Sequence, residues 1–559
     1  MDEKVSALDI VRSYDEISIE DSDVLSESLF FFRLCGNRFL FFAPDENDPS
    51  SCPGIYLYND ELLNAPHIML NQEEYAGDEQ LPKGIYRWIC LYEQNSVVWS
   101  LMGHEEKIYD AINRLIELLS MTEKEREYEF QKEFLYYWNS ASKQKGKYSI
   151  YLQRDDEFTN LSLYYGEKEI RIIGDNLILT DINKLDKKNE REWIRHTELE
   201  AYFIPIIDSR GIIPPHRGYQ WTQSDIRNIV YGKQVAHISD ETFNQLKNIT
   251  PKYQDILLVF GMKTEQTDIV FASKLKCKSG SHRPLLDKIC NDVISVEPWR
   301  VSRKDYLYLS KQIGNDLSLT DSRTLLVGAG SLGSYAAFEL VKNGTKHLTI
   351  YDGDKLEDEN VLRWIYGGIG RGTGKASTIS ILLQLLHPEI IIDAHDTNLS
   401  NASLEQVALQ NDMIIFTIGS TDQQLKFNKQ LMQQRCSVPV LFAWIEEGGT
   451  NSHILYVNYQ SKGCYECLYT DENGKRVSNR ARRNTQELST NGVVKNGCGG
   501  TRAAYGTAVL LRTTAALLEM ISKIKSGQIC ESTLWDITPE RVIASDLQIQ
   551  MKGCDCCGL

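Results

Sequence analysis

Two groups of residues in this chain combine types and spacings that chemistry requires. The first is Gly328-Ala329-Gly330-Ser331-Leu332-Gly333, which follows the apolar run Thr324 to Val327 and leads into a helical pattern through Leu340. Strand, glycine turn and helix form the setting in which backbone N–H groups and a helix N-terminus face a phosphate. A second strand, Leu348 to Tyr351, ends in Asp352. An acid about twenty residues beyond the turn can hold ribose hydroxyls. A glycine fingerprint alone would suit a nicotinamide oxidoreductase, but the residues that follow change the reading. Asp352-Gly353-Asp354 leads to Asn360 and Arg363, and Gly374-Lys375-Ala376 heads a helix carrying Ile379, Leu382, Leu383 and Leu386. Hydride transfer has no need of Asn, Arg and Lys around the phosphates. Attack on the α-phosphate of ATP does, because negative charge builds up there in the transition state.

The second group is made of thiols. The chain has 13 cysteines, an odd count that fits poorly with a closed disulfide framework. Cys35, Cys52, Cys90, Cys277, Cys290 and Cys436 are scattered, whereas Cys464, Cys467, Cys498, Cys530, Cys554, Cys556 and Cys557 crowd the C-terminal end. In a reducing compartment such crowding indicates metal or thiol chemistry. Cys464-Tyr465-Glu466-Cys467 and Cys554-Asp555-Cys556-Cys557 supply two CxxC knuckles, enough for one tetrahedral structural zinc. Either Cys556 or Cys557 can be the fourth ligand, and a redox dithiol is the competing reading. Between the knuckles, Asn473 to Asn496 is polar and basic and reads as a mobile loop. It ends in Gly497-Cys498-Gly499-Gly500-Thr501, before a helix expected from about Arg502 to Ile521. A thiol just before a helix N-terminus sits in a positive field that lowers its pKa. A buried small residue at a helix start is the plainer alternative.

The elements that must position these groups belong to a chain of 559 residues, too long for one core, so three or four domains are expected. The expected boundaries are 1–145, 146–295 and 296–559. With 42% apolar and 25% charged residues the composition is that of a folded globular protein. A net charge of −16 speaks against general nucleic-acid binding, and no run of 18 apolar residues suggests a membrane span. Met1-Asp2-Glu3-Lys4 lacks the pattern of a secretory signal, so a cytoplasmic location is expected. In the first region, Phe30 to Phe32 and Phe39 to Phe42 read as strands joined by a turn at Cys35-Gly36-Asn37-Arg38. Further strands are expected at Ile55 to Tyr58 and Ile85 to Tyr92. Ile108, Ile112, Leu115, Ile116 and Leu119 then recur at helical spacing, and a charged second helix carries Phe130, Phe134 and Tyr137. This is an α+β plan. Asn139 to Lys147 reads as a linker, and the region to 295 alternates strands with polar segments. It carries no chemical motif, which makes it a structural or docking domain of mixed α/β type.

The strand-turn pair, the D-x-D-x5-N-x2-R element and the G-K-A element, in this order, resemble the ThiF/MoeB and ubiquitin-activating-enzyme superfamily. The resemblance implies an α/β, Rossmann-like adenylation domain using ATP and Mg2+. Gly328, Gly330 and Gly333 would form the phosphate turn, Asp352 would bind the ribose, and Asn360, Arg363 and Lys375 would contact the triphosphate. Arg303 would be offered to a dimer partner's site. Two departures stand out. Trp364 replaces a usual Gln, and the position of the usual magnesium-binding Asp falls on Gly419, leaving Asp422 or Asp354 to hold the metal. The same resemblance implies zinc at Cys464, Cys467, Cys554 and Cys557 (or Cys556), and makes Cys498, after a crossover loop at about 470–500, the thiol that takes the acyl group. Trp88-Ile89-Cys90-Leu91-Tyr92-Glu93 with Trp99 and two helices is in turn similar to a ubiquitin-conjugating fold around its active Cys90. The usual His-Pro-Asn element is absent, Tyr86-Arg87 occupying that area, and Asn95 is a substitute oxyanion donor. A structural strand cysteine is the alternative for Cys90. Bacterial proteins that fuse a conjugating domain to a ThiF-type domain, as in cyclic-oligonucleotide antiphage systems, share this order. The implied function is activation of a ubiquitin-like protein with a C-terminal glycine, thioester formation on Cys498 and transfer to Cys90, by a homodimer with an unidentified target. The alternative is an adenylating enzyme, acting by activation alone or on a sulfur carrier, whose N-terminal domain only docks a partner.

Overall fold

The computed structural model describes residues 5–558 except 60–62, 70–73, 78–80, 93–95, 176, 178, 180–192, 197, 233, 265–267, 279, 281, 315–318, 320–321, 447, 450, 484–492, 497–499 and 548. For 493–496 and 500–503 it describes the backbone alone. The chain forms two compact units. Met1–Asp175 and Trp193–Arg303 make the first, and Lys304–Leu559 the bulk of the second. Among the described residues no helix is long and apolar enough to cross a membrane.

The first unit contains two sheets. In the smaller one, Leu29–Leu34 and Asn37–Phe42 form a hairpin whose turn residues Cys35 and Gly36 both have positive φ, at 49° and 78°. Two successive left-handed residues match the turn's twist to that of the strands. Gly54–Tyr58 and Gly84–Trp88 extend this antiparallel meander. Phe30 and Phe32 stack on Phe41 and Phe39 across the hairpin, with ring centroids 5.2 and 5.3 Å apart. Helix His104–Ser120 covers them with Ile108, Ile112 and Leu115, which the spacing predicts, and with Ala111 and Leu118, while the expected Ile116 and Leu119 are only partly buried. The strand expected over Ile85 to Tyr92 stops at Trp88, with one further bridge from Ile89 to Ile68.

The charged second helix is two helices, Glu123–Lys132 and Phe134–Ala141. The first starts at a Thr122/Glu125 capping box, which satisfies two otherwise orphaned N–H groups. Phe134 and Trp138 then join the core of the second sheet. The fully buried Trp138 indole lies 3.2 Å from the carbonyls of both Ala272 and Trp299. Gln131 reaches the carbonyls of Ser209 and Ile212, and Phe130 stacks on His216. These helices therefore pack on the second sheet. The second sheet is mixed, its centre formed by Thr159–Tyr165, Glu200–Ile206, Ile256–Lys263 and Asp268–Cys277. Helices Gln223–Tyr231, Asp240–Lys247 and Leu285–Asn291 contribute to the same core.

The second unit is built on an eight-stranded sheet. Its parallel part runs Ile391–His395, His347–Tyr351, Arg323–Val327, Met413–Phe416, Val440–Ile445, a doubly wound order in which the chain reverses direction after the third strand in sequence. Ligands bind such sheets where the order reverses, beyond the carboxyl ends of the strands. That point lies between Arg323–Val327 and Met413–Phe416. Ser452–Val457, Thr533–Ile537 and Val542–Ala544 continue the sheet antiparallel. The helix expected from about Arg502 begins instead at Thr507, capped by Gly506, and runs to Lys525. Gly500–Ala503 pairs with Val493–Asn496 as a hairpin.

Candidate functional site

The glycine turn opens at the switch point, and its three glycines stand in three different surroundings. Gly328 has φ 101°, a left-handed conformation that favours glycine. A Cβ on Gly333 would lie 1.9 Å from the Gly328 carbonyl oxygen, so this glycine lets helix Ser331–Lys342 close on the turn. A Cβ on Gly330 would meet nothing within 4 Å, which leaves open space above the helix N-terminus. Backbone N–H groups at such an end attract anions. Thr417, directly after Met413–Phe416, donates its hydroxyl to the Gly328 carbonyl at 2.8 Å and ties the turn to the neighbouring strand.

Asp352 follows the strand His347–Tyr351. Burial raises its pKa, against the N–H groups of Ala329 and Asp354, which donate to it at 2.5 and 2.8 Å. Its carboxylate is thus fixed against the glycine turn. The Lys375 side chain is 7% exposed and its ammonium lies 3.0 Å from the carboxylate of Asp354, which is 76% exposed. Gly374 cannot cap its own helix with a side chain, and Asp396 takes that part. Its carboxylate accepts from the Ser377 N–H at 3.1 Å and from the Ser377 hydroxyl. A Cβ on Gly374 would lie 2.0 Å from that carboxylate, so glycine is required for the cap to reach. Asn360 and Arg363 share the short helix Asp358–Arg363, with the guanidinium 3.5 Å from the Asn360 amide oxygen and 5.4 Å from the Tyr505 ring centroid. Trp364, the departure from the family pattern, is buried, and its indole N–H donates to the Ala329 carbonyl at 2.9 Å. It buttresses the glycine turn from below.

Gly328, Gly330, Gly333, Asp352, Asp354 and Lys375 are thus linked through the turn and the Lys375–Asp354 pair. Asp422 stands exposed in the first turn of helix Thr421–Gln433, which follows the next strand. Gly419 has no side chain, and a Cβ there would meet nothing within 4 Å. Arg303 belongs to the first unit, where it is buried and paired with Asp155 at 2.7 Å.

The thiols separate cleanly. The sulfurs of Cys464, Cys467, Cys554 and Cys557 all lie within 4.8 Å of one another. Neighbouring pairs are 4.0, 3.8 and 3.6 Å apart. Zinc–sulfur bonds of about 2.3 Å in a tetrahedron place the sulfurs about 3.8 Å apart, so the quartet is compatible with zinc. Cys556 stands outside it and accepts from the Asn428 amide at 3.2 Å. The basic segment after Thr470 is pinned in its first part. Arg480 donates to the carbonyls of Cys467 and Thr470, and Arg476 pairs with Glu466 and Asp555. Cys498 lies outside the described residues. The helix that follows it begins at Thr507.

Pattern reading missed a second buried assembly in this unit. The His453 imidazole, 0% exposed, has Asp536 2.8 Å from Nδ1 and Glu446 2.6 Å from Nε2. Arg483 pairs with the far side of Asp536 and donates its backbone N–H to Glu446. Trp444 stacks on the ring. A neutral imidazole has one donor and cannot satisfy two carboxylates, so this group of three holds an extra proton.

In the first unit, Cys90 lies on the wall of a cavity of about 320 Å3. Its N–H donates to the His67 carbonyl at 2.9 Å, and its thiol donates to the Tyr92 carbonyl at 3.4 Å. His67 lines the same cavity, and its side chain is held by Glu129 and Glu133. Its proximity to Cys90 has no local signal in the sequence, because the excursion between them hides a cross-strand pair. Asn95 lies outside the described residues.

Residues 309–556 match the sequence model of the ThiF family, and this C-terminal region is a ThiF/MoeB-type adenylation domain. Among curated proteins the chain is similar to "Ubiquitin-like modifier-activating enzyme 5" of Bombyx mori, with 22% identity over 205 residues, 34% of this chain and 51% of the relative. It is similar to "Adenylyltransferase and sulfurtransferase UBA4" of Meyerozyma guilliermondii, with 26% identity covering 28% of this chain and 36% of the relative. The chain thus spans about half the length or less of these relatives. Among solved structures, E. coli MccB with ATP aligns at 16% identity, covering 43% of this chain and 68% of that one with a TM-score of 0.33.

Proposed function

We propose that the second unit binds Mg·ATP and adenylates the C-terminal glycine of a ubiquitin-like protein, and that the acyl group then passes to Cys498 and to Cys90. The observation that supports this most is the joining of an open glycine cradle, Asp352 and the buried Lys375 at the reversal point of the sheet, within the region that matches the ThiF family. Backbone N–H groups of the turn and the helix end would hold phosphate oxygens, and Asp352 the ribose. Asn360, Arg363 and Lys375 would meet the charge that develops on the triphosphate. Asp354 and Asp422 offer exposed carboxylate oxygens of the kind Mg2+ takes alongside phosphates. The metal would neutralise phosphate charge, and Asp354 would release Lys375 to do so. Arg303 could serve a partner's site only after leaving Asp155, which makes it the weakest member of the set.

The substrate carboxylate attacks the α-phosphorus, and the bond to pyrophosphate breaks. The Cys498 thiolate then attacks the acyl adenylate and AMP leaves. Cys90 thiolate next displaces Cys498 from the thioester, and an amine of the target ends the sequence. Covalent catalysis divides one hard step into easier ones. The four-cysteine zinc would stabilise the fold and take no part in these steps.

The test incubates the chain with Mg·ATP and a ubiquitin-like protein ending in glycine, followed by a non-reducing gel. Two thiol-sensitive adducts are expected, both lost in Cys498→Ala and one lost in Cys90→Ala. A single adduct untouched by Cys90→Ala would instead leave an activating enzyme with a docking module. No adduct, with ATP still bound, would sink the thioester sequence.

A further inference from the structure

The Cys90 cavity holds more than a thiol. His67 lies beside it on the neighbouring chain segment, held there by its carbonyl to the Cys90 N–H at 2.9 Å and by its own N–H to the Tyr137 hydroxyl at 2.7 Å. It adopts φ 64°, uncommon for a residue with a Cβ. The local structure thus holds a histidine in a disfavoured conformation next to a cysteine. The imidazole is 22% exposed, with Nε2 3.3 Å from Glu129 and Nδ1 3.7 Å from Glu133. With its proton on Nε2 the ring donates to Glu129, and Nδ1, 3.7 Å from Glu133 and so beyond a hydrogen bond, keeps its lone pair for a proton. Glu129 is itself fixed by Lys132 at 2.8 Å. From helix His104–Ser120 the cavity is faced by Glu117 and by Arg114, whose guanidinium pairs with Asp110 at 2.8 Å.

We propose that His67, oriented by Glu129 and with Glu133 at the mouth, is the proton acceptor for the nucleophile that discharges an acyl group from Cys90. This rests on the reading of Cys90 as an acyl-carrying thiol. A protonated primary amine suits the acidic mouth. It gives one proton to His67 Nδ1, and the freed nitrogen lone pair attacks the thioester carbonyl. The C–N bond forms, the C–S bond breaks, and its electron pair leaves on Cys90 Sγ. A second N–H proton passes to that thiolate, so the products are an amide, a thiol and a protonated His67 between two carboxylates. A base held by a carboxylate is the arrangement general-base catalysis uses.

The experiment loads the full-length chain from a Gly-Gly thioester of 2-mercaptoethanesulfonate and follows the acyl group on the Cys90 peptide by mass spectrometry after adding free lysine. Cys90→Ser is the blank, and rates are normalised to the loaded fraction. In His67→Gln and His67→Asn, discharge to lysine at pH 7 should fall about 100-fold, the low end of what a general base supplies. The pH–rate profile of the wild type should carry a limb that both variants lack. Hydroxylamine, already unprotonated at neutral pH, should discharge wild type and variants at rates within about threefold. Both variants discharging lysine at the wild-type rate with an unchanged pH profile would overturn the proposal. So would a Cys90 that reacts with iodoacetamide and takes no acyl group from the probe. Because the probe carries its own activated acyl group, loss of the ATP-driven adduct alone would count against activation and leave the role of His67 standing.

Discussion

Replacing His453 by leucine isolates a buried charge assembly of the second unit. Its partners Glu446 and Asp536 have side chains 4% and 2% exposed. Breaking a buried pair by removing one partner costs about 3–5 kcal/mol, because the remaining charge is left uncompensated. Arg483 still answers one side of Asp536, and the lower end, about 3 kcal/mol, therefore applies. At about 1.4 kcal/mol per factor of ten, local opening should rise about 100-fold. A chain of two units does not unfold in one step, so the assay is hydrogen exchange of peptides covering Ser452–Val457 and Thr533–Ile537, which pair through this site. Replacing all three members by neutral residues, His453→Leu with Glu446→Gln and Asp536→Asn, should recover most of the protection, since no buried charge is left unpaired. Burial pulls the His453 pKa down, but the two carboxylates outweigh it and the net direction is up. The stabilisation is therefore complete below the unfolded value of about 6.5 and is lost as pH rises through the higher folded value. Burial pushes Asp536 up, and hydrogen bonds from His453 and Arg483 bring it down to about 2, so its share is lost only as pH falls toward that value. Exchange in His453→Leu within threefold of wild type at pH 6 would refute the reasoning.

Two further outcomes follow from the geometry. Zinc should bind at one ion per chain by elemental analysis, with Cys557→Ser losing it and Cys556→Ser keeping it, since only Cys557 completes the quartet; equal retention in both would refute the assignment. Gly330→Ala should fold as wild type and lose ATP affinity, whereas Gly333→Ala should lower the thermal midpoint, its Cβ lying 1.9 Å from a carbonyl oxygen. Calorimetry and a melting scan read the two effects separately, and equal behaviour of the two variants would count against the roles given to these glycines.

The features legible in the sequence are those whose partners lie within one turn or one knuckle. The glycine turn works because strand, turn and helix are contiguous, so residue order alone states the geometry. The zinc ligands are recognisable because each CxxC fixes its own half of the site. The helix expected from about Arg502 starts five residues later: Arg502, Ala503 and Ala504 suit a helix, while the competing hairpin with Val493–Asn496 is a pairing that no window reveals. His453, Glu446 and Asp536 sit in or beside three antiparallel strands, and each alone reads as an ordinary polar residue in an apolar run. His67 and Cys90 meet only because an excursion of the chain returns to pair Ile89 with Ile68. The basic segment reads as a mobile loop from its composition for the same cause. Arg476, Arg480 and Arg483 look solvated until the acids and carbonyls that receive them are known. These arginines bind one segment both to the cysteine quartet and to the His453 assembly. Loss of metal and loss of the imidazolium should therefore loosen the same residues, those that lead toward Cys498.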